Sequence, residues 1–101
     1  MPNGFSVREG SLFCEAVSAD SLAQRFATPL YVYSQTAITD AFAEWTDAFG
    51  GADHLICFAV KANSNIAILK LLASLGSGFD IVSGGELQRV LAAGGDAGKV
   101  V

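Results

Sequence analysis

Leu55-Ile56-Cys57-Phe58-Ala59-Val60-Lys61-Ala62-Asn63 is the stretch that decides the fold. Its first six residues are apolar at every position, so both alternating faces of a strand here would need cover, as in a parallel sheet with helices on its faces. Downstream, Ile68, Leu69, Leu72 and Leu75 recur at helical spacing. Asn63 or Ser64 is placed to open that helix and Gly76 to end it. Phe79-Asp80-Ile81-Val82 then reads as a second buried strand. Ser83-Gly84-Gly85-Glu86 has the serine-to-glutamate spacing of a capping box, opening a helix with Leu87, Val90 and Leu91 inward and Gly94-Gly95 at its end. Lys99-Val100-Val101 reads as a third strand beginning.

Strand, helix, strand, helix, strand predicts parallel strands joined by right-handed crossovers, hence an α/β sheet or a β/α barrel. A closed eight-unit barrel takes about 250 residues. A chain of 101 residues has room only for its opening units, and the rest of a barrel is expected beyond Val101.

Upstream, Leu30 to Tyr33 is a β-prone run, and Ser34 is placed to cap a helix whose stripe is Ile38, Ala41, Phe42, Trp45 and Phe49. Gly50-Gly51 ends that helix. Asp20 is expected to cap a shorter helix carrying Leu22, Ala23 and Phe26, which must stop before Pro29. Between Phe5 and Val17 the pattern is ambiguous, with a strand-sized apolar stretch at Leu12-Phe13-Cys14.

Hydrophobic residues make up 51% of the chain, and its mean hydropathy of +0.43 is more than a 101-residue globule comfortably hides, so a piece of something larger is expected. No window approaches the roughly 18 apolar residues of a membrane span. The first residues lack a basic start followed by an apolar core, so no secretory signal is visible and a cytoplasmic location is expected. Cys14 and Cys57 have no second Cys or His at ligand spacing, which argues against a disulfide framework and a metal site. A formal charge of −4 would repel phosphate backbones, so nucleic acid is not an expected partner. His54 is the only histidine, with no visible Ser-His-Asp or Cys-His arrangement, and the glycines fit neither a Walker loop nor the dinucleotide fingerprint.

Lys61 follows directly on the buried run, at the carboxyl end of its strand, which is the functional edge of parallel α/β architectures. Such a lysine can also simply place its ammonium in solvent. Strand alternation would set Lys61 on the face of Ala59 and Cys57, whose small side chains leave room beneath it. Asp80 interrupts the next apolar run, and a buried carboxylate must be paired or hydrogen-bonded. Glu86 has an alternative reading as the far half of a capping box.

Phe58-Ala59-Val60-Lys61-Ala62-Asn63, followed by Gly76-Ser77-Gly78-Phe79-Asp80-Ile81-Val82-Ser83-Gly84-Gly85-Glu86-Leu87, resembles the barrel opening of the alanine-racemase-like, pyridoxal-phosphate-dependent amino-acid decarboxylases. Thr28-Pro29-Leu30-Tyr31-Val32-Tyr33 is similar to that family too, so the likeness runs from about Thr28 to Gly95. The resemblance implies that residues 31–101 are the first part of a pyridoxal-phosphate-binding (β/α)8 barrel of the TIM type, and residues 1–30 the first segment of a β-rich second domain. It implies that Lys61 is catalytic and carries pyridoxal 5'-phosphate as a Schiff base, with Ala59, Asp80 and Glu86 as further cofactor-binding positions. It implies a homodimer with an amino-acid substrate.

Within the family the Ser83-to-Glu86 run leans towards members that turn meso-2,6-diaminopimelate into L-lysine, the last step of lysine biosynthesis. An ornithine or arginine decarboxylase, an alanine racemase or a non-catalytic, regulatory barrel are the alternatives. The family's glycine-rich phosphate loop, its acidic partner of the pyridine nitrogen and its cross-dimer cysteine have no counterpart in these residues, so the chain by itself is expected to be inactive.

Overall fold

Three short strands open the chain in a computed structural model that describes residues 3–101. They are β1 (Phe5–Arg8), β2 (Ser11–Cys14) and β3 (Val17–Ser18), paired antiparallel in that order. Glu9 and Gly10 join the first two with φ of 50° and 79°. Two successive positive φ values match the twist of the flanking strands, and glycine at the second position takes that conformation without a Cβ penalty. The stretch Leu12-Phe13-Cys14, left ambiguous by its pattern, lies in the middle strand of a meander.

Helix α1 (Ala19–Phe26) follows at once. Its cap is Ser18, whose hydroxyl accepts from the Ser21 N–H at 3.1 Å. Asp20, expected at the cap, lies inside the first turn, where its charge favours the positive end of the helix. The β-prone run from Leu30 to Tyr33 carries no ladder, and Tyr31 is 86% exposed. A β-prone run becomes a strand only where a neighbour accepts its backbone hydrogen bonds.

Helix α2 (Gln35–Phe49) starts at Ser34 as expected, with the Ala37 N–H donating to the Ser34 hydroxyl at 3.1 Å. Of its expected apolar stripe, Ile38 and Phe42 are half-buried, whereas Ala41, Trp45 and Phe49 are exposed. The chain divides into two compact units after Ala41.

In the second unit, β4 (Cys57–Ala59) and β5 (Gly78–Asp80) are parallel neighbours, with Phe58 opposite Phe79 and Ala59 opposite Asp80. Helix α3 (Ile66–Ser74) connects them and α4 (Gly84–Ala92) follows β5. Of the third strand expected at Lys99 to Val101, Lys99 instead ends a 3-10 turn (Ala97–Lys99), and only an isolated parallel bridge forms, between Phe79 and Val100, with the Val101 N–H donating to the Phe79 carbonyl at 2.9 Å. Alternating strand and helix with parallel pairing is the α/β arrangement expected.

Val60, Leu69, Phe79 and Val90 are the largest fully buried side chains, and Ile68 and Leu72 join them from α3. Full burial of such a side chain contributes about 1.5–3 kcal/mol, so these residues fix α3 and α4 against one face of the sheet. The other face, carrying Cys57, Ala59 and Asp80, is half-buried to exposed. The stretch from Leu55 to Val60 is thus covered on one face only. Leu91, expected inward, is 49% exposed, and Val82 is 68% exposed beyond the end of β5.

Candidate functional site

Strand β4 stops at Ala59 because the chain tightens there into a 3-10 turn, Val60–Ala62, closed by the Asn63 N–H donating to the Val60 carbonyl at 3.1 Å. Val60 at its start is completely buried, whereas Lys61 is exposed. Lys61 therefore leaves the backbone from a turn, and the two-residue alternation that grouped it with Ala59 and Cys57 ends two residues too early to include it. An anchored hydrophobic neighbour and a closed turn still fix where its Cα lies.

Asn63 and Ser64, the expected openers of α3, are not its cap. Asn65 is, its side-chain oxygen accepting from the Ala67 N–H at 2.9 Å and the Ile68 N–H at 3.4 Å. Asn63 instead accepts from the Asn65 N–H at 3.0 Å, which braces the loop between the turn and the helix.

Asp80 is the last residue of β5 and is exposed. It lies on the sheet face opposite to that of buried Phe79, so the premise of a buried carboxylate in need of a partner does not hold. Ala59 sits opposite it in register. Past β5, Ser83 caps α4, its hydroxyl accepting from the Glu86 N–H at 3.1 Å. The reciprocal bonds of Glu86 go to the Val82 N–H and the Ser83 hydroxyl, both at 3.3 Å. The capping box expected here is thus shifted back by one residue in its return bond.

These elements enclose an open cleft of about 340 Å³ at the carboxyl edge of the sheet, over Val60, lined by Lys61, Ser64, Ser83, Gly85, Glu86 and Arg89. Small-molecule sites run from about 300 to 1,000 Å³, so the volume suits a modest ligand. Of the four residues singled out from the sequence, Lys61 and Glu86 come together in this cleft. Ala59 and Asp80 pair with each other across the strands and do not line it.

Ser64, expected only as a helix opener, and Arg89 were not expected to line a site. Arg89 Nη1 donates to the Ser64 carbonyl at 3.1 Å, joining α4 to the loop after Lys61. The available signal was its place three residues after Glu86, which puts both charges on one side of α4. Among the described residues, no helix is long and apolar enough to cross a membrane.

Residues 35–101 match the family model of the pyridoxal-dependent decarboxylase, pyridoxal binding domain. Over 91 residues the chain is 63% identical to the diaminopimelate decarboxylase of Neisseria meningitidis serogroup B, covering 90% of this chain and 22% of that relative. Over 99 residues it is 57% identical to the diaminopimelate decarboxylase of Pseudomonas fluorescens, covering 98% and 24%. The fold matches the crystal structure of diaminopimelate decarboxylase from M. jannaschii in complex with L-lysine, with a TM-score of 0.92 and 35% identity over 99% of this chain and 25% of that one. The chain thus spans between 22% and 25% of the length of these relatives. Its parallel β/α units are the opening part of the barrel these enzymes share, and the chain belongs to the pyridoxal-dependent decarboxylases, residues 35–101 falling in their pyridoxal binding domain.

Proposed function

We propose that this chain is the N-terminal part of an enzyme that decarboxylates meso-2,6-diaminopimelate to L-lysine, the closing step of lysine biosynthesis, with Lys61 as the covalent anchor of pyridoxal phosphate. The observation that carries this reading is the position of Lys61, an exposed amine on a turn fixed by buried Val60, at the carboxyl edge of a parallel sheet and bordering a cleft. The relatives' names supply the substrate.

The residues present fit the aldehyde end of such a cofactor. An aldehyde needs a primary amine that a ligand can approach, and Lys61 is the lysine on this cleft. Ala59, exposed at the end of β4, leaves open space beside the turn. When bound, the cofactor supplies an electron sink for the electron pair left on the substrate carbon as carbon dioxide departs.

The rest of the work belongs to side chains. Lys61 Nζ would hold the cofactor's aldehyde end and would be the group placed to hold a proton and return it to that carbon. Asp80, at the end of the neighbouring strand, orients the amine. Glu86 ties the Val82 N–H and the Ser83 hydroxyl and so holds the β5–α4 turn in place. Residues 1–30 belong in this reading to the β-rich second domain and residues 31–101 to the barrel, in a cytoplasmic homodimer.

The test uses the complete polypeptide spanning the relatives' length. Carbon dioxide release from diaminopimelate should far exceed that from lysine, ornithine or arginine, and borohydride reduction followed by peptide mapping should place the cofactor on Lys61. Preference for ornithine or arginine overturns the substrate, and a label on Lys70 or Lys99 overturns the anchor.

A further inference from the structure

The loop that carries Lys61 into α3 is braced mostly by itself. The Val60 carbonyl accepts from Asn63, the Asn63 side chain accepts from the Asn65 N–H, and Asn65 caps α3. Among the described residues, one side-chain hydrogen bond ties this loop to another element: Arg89 Nη1 to the Ser64 carbonyl, 25 positions away in sequence. A guanidinium is a rigid, permanently charged donor, suited to fixing a carbonyl at a set distance and direction.

Three residues before Arg89, on the same side of α4, Glu86 binds the Val82 N–H and the Ser83 hydroxyl at the end of β5. One helix face therefore holds the segment that follows each strand, Glu86 the turn after Asp80 and Arg89 the loop after Lys61. We propose that Arg89 is a positioning residue that sets the Lys61 turn relative to the β5–α4 edge. The proposal rests on the reading of Lys61 as the cofactor's anchor and adds to it a residue acting through the Ser64 backbone. Sub-ångström to 1 Å misplacement of a reacting group costs up to about a hundredfold in rate.

The test compares Arg89→Ala, Arg89→Gln and Arg89→Lys with the wild type in the complete enzyme, reading kcat per cofactor-loaded chain, KM for diaminopimelate, and the visible circular dichroism of the bound cofactor. Arg89→Ala should lower kcat by about ten- to a hundredfold. It should leave KM within about twofold, because the bond is made to the enzyme's own backbone and not to substrate. The dichroic band should change with it, and Arg89→Lys, which keeps a cationic donor, should recover part of the loss. If Arg89→Ala does not fold, the Gln and Lys variants carry the comparison.

A lowered melting temperature with kcat per loaded chain and dichroism unchanged would reduce Arg89 to a structural contact and overturn the proposal alone. Borohydride labelling of the wild type on a lysine other than Lys61 would overturn the anchor reading and this proposal together.

Discussion

Ala59 and Asp80 stand directly opposite each other across the parallel pair β4–β5, each the last residue of its strand. One residue earlier, the register pairs Phe58 with Phe79, which is fully buried under the helices. The sheet thus passes from buried core to exposed surface within a single step of its pleat. Both chains then turn away, one into the turn that bears Lys61 and the other towards the Ser83 cap of α4.

That register sets Asp80 beside the end of the strand that leads into the Lys61 turn, with its side chain exposed. In the complete enzyme, Asp80→Ala should lower kcat by roughly a hundredfold or more, within the range typical of positioned acid–base groups. Cofactor retention should fall much less. Steady-state kinetics beside the absorbance of bound cofactor separate the two effects, and equal losses in both would contradict an orienting role.

Ala59 makes a different prediction because its contribution is lack of bulk. A leucine there would project from the open face of β4 into the space beside the turn, while losing no buried contact. Overlap costing about 1.4 kcal/mol is enough to weaken cofactor retention roughly tenfold. The fold should tolerate the change within about 0.5 kcal/mol, as exposed positions generally do. Undiminished loading of Ala59→Leu would show that the space is not used.

What was legible in the sequence follows from what is local. Helix α3 was readable because Ile68, Leu69 and Leu72 bury one stripe and Gly76 ends it, and β5 because Phe79 belongs to an apolar run. The end of β4 was not readable: Val60 and Lys61 continue a β-prone pattern, but a closing bond from Asn63 to Val60 coils them. Choosing Asn65 over Asn63 as a cap depends on that same turn. Leu91, Trp45 and Tyr31 carry apolar side chains that the described residues leave exposed, so periodicity located their helix or run without telling what covers them. In the site, Lys61 could be singled out by its place at a strand end. Arg89 could not, because its partner is a backbone carbonyl supplied by a distant loop.

Tight packing behind the site gives a stability prediction. A Cβ built on Gly95 would lie 2.5 Å from Val90 Cγ1 and 3.2 Å from Phe79 Cε2, both on buried residues that cannot swing aside. Gly95→Ala should therefore destabilise the fold by about 1–3 kcal/mol, the usual cost of overfilling a packed core. Chemical denaturation of the complete protein measures it, and a neutral result would mean that the loop after α4 yields more readily than its contacts imply.

A pH dependence should arise at the start of α2, within the first unit. The Ser34 hydroxyl donates to Glu15 Oε1 at 2.6 Å and the Thr36 N–H donates to the same oxygen at 3.1 Å. These bonds favour the ionised form and hold the Glu15 carboxyl below its ordinary value of 4.5, the Ser34 bond being the larger cause. A folded pKa below the unfolded one adds stability that is present above the unfolded value and is lost as pH falls through the folded one. Glu15→Gln should flatten that acid-side decline, leaving unfolding less dependent on pH below about 4.5 than in the wild type. Ser34→Ala removes both the donor to Glu15 and the cap on Ala37, and should cost about 1 kcal/mol near neutral pH. Its acid-side slope should be shallower too, since the Glu15 pKa moves back towards the unfolded value. Urea denaturation across pH 3 to 7 would test both variants, since it runs from about one unit below the ordinary carboxylate range to more than two units above it. A wild-type slope retained in Glu15→Gln would assign the acid sensitivity to another carboxylate.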